Sequence, residues 1–367
     1  MTIKAKEGKN NKPVLKGLTL SGLKDFFESI GEKRFRGEQT FNWLYHHLID
    51  SYDEMQNVPK TLREKLTQIT GEINTVKLLS TKSSPQTGTK KYLFETLDGH
   101  KVESVVIPDF KRTTLCLSTQ VGCPLDCKFC ATGLMGFRKN LSAAEIFDQY
   151  KFAKKDYTED TIKNIVYMGM GEPLLNFDET VKSIKILSHD LTKAVLRRRI
   201  TVSTAGIAPK IMELADTGLK VKLAFSLHSC FEDVRSKLMP INQKYSLKEN
   251  ILAIRHYTKE TRTRITFEYI MIDGINDRED DYNELVKLCK SMPCKINVIP
   301  FNSLHHMNPT GFSAELQPSP FERIEAFVQA LRDQNIIVTV RYTQGEDIAA
   351  ACGQLAIVEE KKKIKKG

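Results

Sequence analysis

The sequence predicts an α/β protein, a parallel sheet with crossover helices behind a small helical amino-terminal domain. Three observations carry this. Apolar residues recur at helical spacing early in the chain. From residue 113 to residue 341, strand-like runs alternate with amphipathic helical ones, the pattern of βαβ units. Glycine and polar clusters fall just after the strand-like runs, where α/β folds gather their ligands.

The elements follow in order. Residues 1–13 are polar and lysine-rich and are expected to be disordered, and residues 14–90 read as the helical domain. There Leu23, Phe26, Phe27 and Ile30 share one helical face, then Phe41, Trp43, Leu44 and Leu48, and Pro59 opens a helix with Leu62 and Leu66. Residues 80–89 are rich in Ser, Thr and Gly and read as looser chain. Strand-like runs at 91–97 and 102–107 flank the turn Asp98-Gly99. Further strand-like runs lie at 113–118, 164–168, 199–203, 220–226, 264–271, 295–299 and 336–341. Helical patterns at 143–152, 177–187, 208–215, 247–258, 280–290 and 321–332 separate them. The core domain is expected over 91–355, with a basic tail over 356–367. Six or seven such units fit a barrel-like wall or an open doubly wound sheet, and periodicity does not choose.

Composition narrows the class. Hydrophobic residues make up 41% and charged residues 27%, an ordinary soluble balance. No run approaches the ~18 apolar residues of a membrane span, so no membrane association is expected. Residues 1–10 lack an apolar leader core. The chain therefore reads as cytoplasmic, and its eight cysteines as metal-binding or redox groups rather than a disulfide framework. A net charge of +10 suits a polyanion such as RNA, and equally a solvated basic surface. Arg197-Arg198-Arg199 and the lysines of the tail concentrate that charge.

The most informative stretch is Gly122-Cys123-Pro124-Leu125-Asp126-Cys127-Lys128-Phe129-Cys130, with spacing C-x3-C-x2-C. Structural zinc takes four ligands, and no fourth is evident in this loop. Ordinary 4Fe–4S clusters take four cysteines, so three leave one iron open. The motif resembles the signature of radical S-adenosylmethionine (SAM) enzymes. That resemblance implies a partial (βα)6 barrel. It also implies a 4Fe–4S cluster on Cys123, Cys127 and Cys130, with SAM chelating the open iron and being cleaved to a 5′-deoxyadenosyl radical. One unit later, Gly169-Met170-Gly171-Glu172-Pro173 offers glycines for close approach and a carboxylate for an ammonium or ribose hydroxyls. Glu172 also fits a solvated loop position.

A narrower resemblance rests on the ordered set Cys127–Gly133, Gly169–Asn176, Val202–Gly206, Ser226–His228, Leu238–Asn242, Asn297–Asn302 and Ala351–Leu355. Together these motifs are similar to the RlmN family of dual-specificity 23S rRNA and tRNA adenine-C2 methyltransferases, over residues 35–355. The resemblance implies that Gly171, Glu172, Ser203, Ser226, Leu227, His228 and Asn302 contact SAM. It implies that Cys352 accepts a methyl group from one SAM, while a second SAM supplies the radical. The resulting carbon radical would add to adenine C2, in the peptidyl-transferase centre or just 3′ of the tRNA anticodon, forming a covalent protein–RNA adduct. Glu103 would accept a proton, and Cys116 would resolve the adduct through a disulfide with Cys352. A flavodoxin-like electron donor and a monomeric state are also expected.

Blander readings stand beside these roles. Glu103 fits the polar face of its strand, His228 a hydrogen-bonded strand end, Cys116 a core position, and Cys352 a small residue at a helix end. Lys33, Arg34, Arg36, Trp43 and Tyr45 interleave basic and aromatic groups that suit RNA, and the aromatics suit a core. Cys230, Cys289 and Cys294 read as structural. The 303–320 loop is longer than the family pattern. Two alternatives remain: a Cfr-like adenine-C8 methyltransferase, and a non-catalytic metal-binding RNA-binding protein.

Overall fold

The structure, a computed structural model, describes residues 12–109, 112–158, 161–341 and 344–357. The tail residues 1–11 and 358–367 therefore lie outside the described residues. Pro13 accepts a hydrogen bond from the Gly71 N–H at 3.0 Å, and Ala356 is buried, so residues read from sequence as tail take part in the packing at both ends.

The strands in chain order are β1 (Val76–Ser83), β2 (Lys90–Thr96), β3 (Lys101–Ile107), β4 (Thr113–Cys116), β5 (Gln120–Gly122), β6 (Phe137–Asn140), β7 (Ile162–Tyr167), β8 (Ile200–Thr204), β9 (Lys222–Ser226), β10 (Ile265–Met271), β11 (Cys294–Pro300) and β12 (Val338–Val340). Ten form one sheet in the order β1-β2-β3-β4-β7-β8-β9-β10-β11-β12, and β5 pairs with β6. Within the ten-stranded sheet every pairing from β4 to β12 is parallel. Each strand there pairs with the next strand of that sheet in sequence. A doubly wound sheet would reverse direction at a switch point, and none exists here. The wall is that of a partial barrel, and its two ends, β1 and β12, are not paired to each other.

Sequence reading missed β1 and the β5–β6 hairpin. β1 carries mostly exposed residues and so lacks a clean alternation. The hairpin is short and brackets the cysteine loop. Gly122 closes it at φ 70°, where a Cβ would stand 1.7 Å from the Gly136 carbonyl oxygen.

Helices cover the outside of the wall. Ser142 and Ser246 cap theirs with reciprocal Ser–Glu boxes, to Glu145 and Glu249. The helix Ala143–Asp156 is buried along most of its length, with Lys16, Tyr45, Ile49 and Thr75 of the amino-terminal region among the residues against it. Buried charges tie the two regions together. Lys16 pairs with Asp148 at 2.6 Å, and Lys151 donates to Asp50 at 2.7 Å and to the Ile49 carbonyl at 2.6 Å. Trp43 stacks on His47 and Tyr45 is buried against Phe147, so Tyr45 serves the core. The 303–320 loop is ordered, buries Leu304 and Leu316, and bridges to β10's end through Ile272 and Pro318.

Candidate active site

Strand register places the site. In a parallel sheet, paired residues project to one side, and positions two apart share a face. Thr201 pairs with Lys222, Ser203 with Ala224, Ser226 with Glu268, and Glu268 with Asn297. Ser203, Ser226, Glu268 and Ile270 therefore line the inner face of the wall, toward its carboxyl-terminal rim. Cys116 pairs with Val166 and belongs to the same inner face.

At that rim a cavity of about 160 Å³ is lined by Cys123, Cys127, Cys130, Gly171, Glu172, Ser203, Ser226, His228 and Cys352, with Met168, Glu268 and Arg341. Eight of the residues expected from sequence at the cluster and SAM sites thus share one space with the candidate carrier sulfur. Leu227 and Asn302 do not line it. Leu227 is fully buried behind it, and the Asn302 side-chain amide donates to the Cys352 carbonyl at 3.2 Å, holding that loop.

The cysteine loop is turned inward by the β5–β6 hairpin and the short helix Ala131–Leu134. Burial pushes the Cys123 thiol up to about 12, raises Cys127 well above its ordinary range, and raises Cys130. Mutual repulsion adds to this at Cys127. Three buried thiols that resist ionising together fit a cationic group that would neutralise them. Among the described residues no three His, Cys, Asp or Glu side chains converge as a single ion requires. Three thiols lining one cavity suit an iron–sulfur cluster that keeps one iron open.

Glu172 is held rigidly. Its carboxylate accepts the Leu174 N–H at 3.0 Å and the Ala205 N–H at 2.8 Å, while Gln120 accepts the Glu172 N–H at 2.8 Å. Burial outweighs those donors and raises the carboxyl to about 7. Gly171 lets this loop lie on Gln120: at φ 98°, a Cβ would stand 2.4 Å from the Gln120 Cβ. His228, also at positive φ (56°), accepts the Ile270 N–H on Nδ1 at 3.0 Å and meets Phe129 edge-on at 4.6 Å. Burial, with the nearby Arg235 charge, lowers its pKa to about 3, so the imidazole is neutral.

Two arginines give no motif signal. Arg235 is fully buried and donates to the carbonyls of Leu227 (3.2 Å), Ala205 (2.6 Å) and Ser226 (3.1 Å) and to the Asn242 side chain. It clamps two rim loops together. Arg341 leaves the end of β12, contacts the Met168 sulfur at 3.3 Å and hydrogen-bonds Cys352, with Cys116 and Glu268 also close enough to act on its charge. A lone arginine at a strand end looks like a solvated cation in sequence; only the register beside Glu268 could have flagged Arg341.

Cys116 sits in the wall behind the cavity, where burial and the neighbouring Cys352 push its thiol up to about 12. Cys352 is exposed. Glu103 does not face the cluster cavity. It borders a second cavity of about 450 Å³ beneath the Cys352 loop, with Lys91, His306 and Gln354. Lys91 pairs with Glu103 at 3.1 Å; burial nonetheless raises the carboxyl's pKa, and its Oε2 has no hydrogen-bond partner.

Residues 14–71 match the ribosomal RNA large subunit methyltransferase N-terminal domain, and residues 117–288 match the radical SAM superfamily. The dual-specificity RNA methyltransferase RlmN of Alcanivorax borkumensis is 41% identical over 93% of this chain and 89% of its own length. The RlmN of Marinobacter nauticus is 40% identical over 95% and 94%. A crystal structure of a radical SAM methyltransferase from Sphaerobacter thermophilus is 42% identical, covers 93% of this chain and 98% of that one, and superposes with a TM-score of 0.85. With its helical domain, its barrel wall and its three-cysteine loop all matched, the chain belongs to the RlmN family of radical SAM methyltransferases.

Proposed function

We propose that this RNA methyltransferase acts on carbon 2 of adenine in 23S rRNA and tRNA, using Cys352 as methyl carrier. The observation that supports this best is the shared cavity: cluster cysteines, the SAM-facing loops and Cys352 border one space. Cys123, Cys127 and Cys130 would hold the 4Fe–4S cluster, with Gly171, Glu172, Ser203, Ser226 and His228 around SAM. Leu227 and Asn302 shape that site from behind. Bound there, cluster and SAM supply one-electron chemistry that activates a methyl carbon.

The chain's own residues supply the rest. An aromatic C2–H carbon is a poor nucleophile, so a methyl parked on the Cys352 sulfur and activated there reverses the polarity required. Glu103 carries an unpaired buried oxygen able to take the proton released as the adduct rearranges. Cys116, close to Cys352 across the cavity wall, is placed to attack its sulfur, releasing the product and leaving a disulfide. Two SAM molecules are used per turnover, one for the methyl and one for its activation. The target adenine is unstacked to reach the rim. A flavodoxin-like donor and a cytoplasmic setting complete the reading.

Mass spectrometry of digested RNA, after incubation with reconstituted enzyme, SAM and reductant, tests it. The expected product is 2-methyladenosine in both RNAs. 8-Methyladenosine would replace this reading with the Cfr-like one, and RNA binding without SAM cleavage would leave a non-catalytic protein.

A further inference from the structure

The inner face of the barrel wall carries a second charged feature, at the opposite end from the cysteines. Extending the alternation of Cys116, Ser203, Ser226, Glu268 and Asn297 back to the strand starts leads to Arg112, Arg199, Lys222, Arg264 and Lys295. Of the six strands β4, β7, β8, β9, β10 and β11, two carry an inner-face lysine near their start, Lys222 and Lys295, and three are immediately preceded by an arginine, Arg112, Arg199 and Arg264. The sixth places Asn164 there, which accepts from Arg199 at 3.5 Å.

These charges converge. Lys222 on β9 is acted on by Lys295, two strands away, by Arg199 on the adjacent strand, and by Arg112, three strands away. Lys295 in turn is acted on by Arg264 and Arg341. None of the five has an ion-pair partner among the described residues. Glu268, a carboxylate on the same face, pulls on Lys295 but is engaged by Asn297 at 2.8 Å and by the Arg341 charge. Burial, then repulsion from neighbouring cations, depresses the Lys222 pKa, so the cluster is strained as it stands.

We propose that the amino-terminal mouth of the barrel is a binding site for a compact polyphosphate, with Arg112, Arg199, Lys222, Arg264 and Lys295 as its ligands. Five converging cations that outnumber the single carboxylate on their face, Glu268, fit an anion carrying several charges. Guanidinium groups add paired donors suited to phosphate oxygens. The groups gather at the mouth: Arg199 and Lys295 are half-buried, and Arg112, Lys222 and Arg264 are exposed there to an incoming ligand. Five cations acting on one another at one mouth match the charge of a di- or triphosphate group. The site does not depend on which RNA is methylated.

Calorimetric titration of the full chain with inorganic tripolyphosphate tests this, with ATP as a second arm. Binding is expected for the parent, with Kd raised about tenfold or more in the Lys222→Gln/Lys295→Gln double variant. Unchanged melting temperature controls for folding. Tighter binding of ATP than of tripolyphosphate assigns the phosphates to a nucleotide, and equal affinity assigns them to a free polyphosphate. Absence of binding, or equal binding by parent and double variant, overturns the proposal. So does protection of Lys222 and Lys295 from acetylation by a single-stranded RNA but not by tripolyphosphate.

Discussion

The Ala131 N–H donates to the Gly353 carbonyl at 2.7 Å. This bond lays the loop carrying Cys352 directly on the loop carrying the cluster cysteines, and the Thr132 hydroxyl reinforces it by donating to the Leu355 carbonyl at 2.8 Å. Ala131 opens a short helix, and Cys130 before it is extended, at φ −127° and ψ 120°. Proline fits that backbone conformation, but it lacks the donor and sets its ring Cδ against the Gly353 oxygen. Ala131→Pro is expected to leave cluster absorbance unchanged while loosening residues 345–355. Hydrogen exchange there should speed up about fivefold, the effect of one hydrogen bond of about 1 kcal/mol. Unaltered exchange would remove the tether.

The two candidate sulfurs should differ sharply toward alkylation. With its thiol near 12, Cys116 has a thiolate fraction of about 10⁻⁵ at pH 7, whereas Cys352 is exposed. Limited iodoacetamide at pH 7, followed by peptide mapping, is expected to label Cys352 and spare Cys116. Equal labelling would contradict the burial of Cys116.

Substitution separates their roles in turnover. Cys116→Ala is expected to trap a covalent protein–RNA adduct on denaturing gels, and Cys352→Ala to give neither adduct nor methylation. Normal turnover by Cys352→Ala would falsify the carrier role.

Glu172 gives a pH signature. Burial raises its carboxyl from 4.5 to about 7, so the folded chain keeps a proton that the unfolded chain releases. Its contribution to stability is complete below about pH 4.5 and is lost as pH rises through about 7. Glu172→Gln removes that loss. Relative to the parent, it should gain roughly 3 kcal/mol between about pH 4 and pH 8, seen by urea denaturation of the cluster-free chain. A gap that does not change with pH would count against a buried ionising carboxylate.

Arg235 is the rim clamp. Lysine has three donors and cannot serve the four oxygens that Arg235 reaches on Leu227, Ala205, Ser226 and Asn242. Arg235→Lys is expected to cost about 2–3 kcal/mol by leaving a buried acceptor unpaired. It should also weaken SAM binding measured by equilibrium dialysis, since both loops it joins border the cavity. Undiminished SAM affinity would limit Arg235 to stability.

Much of this was legible in sequence because chemistry was concentrated in short, ordered stretches. The cysteine spacing, Gly171-Glu172 and Ser226-Leu227-His228 each sit just after a strand, and the strand-end rule brings them to one rim. The choice between barrel and doubly wound sheet needed pairing order, which alternation alone does not contain. Arg235 and Arg341 were invisible because their roles come from partners on other elements, Ala205 and Ser226 for one and Cys352 for the other. Glu103 was found by resemblance, yet its placement beneath the Cys352 loop, bordering a separate cavity, depends on the antiparallel β2–β3 pairing, which also sets Lys91 beside it.

The loop that bears Cys352 lies beyond β12, so a ribosome makes it after the cysteine loop and the inner wall it covers. Chains fold from their amino-terminal end as they emerge. During synthesis, then, the three thiols are made before the loop that roofs them. The candidate carrier sulfur of Cys352 arrives afterward, and with it the bond from Ala131 to Gly353 that closes the chamber. The Ala131–Gly353 bond thus joins two stretches made at different times, and the chamber is complete only once the last loop is in place.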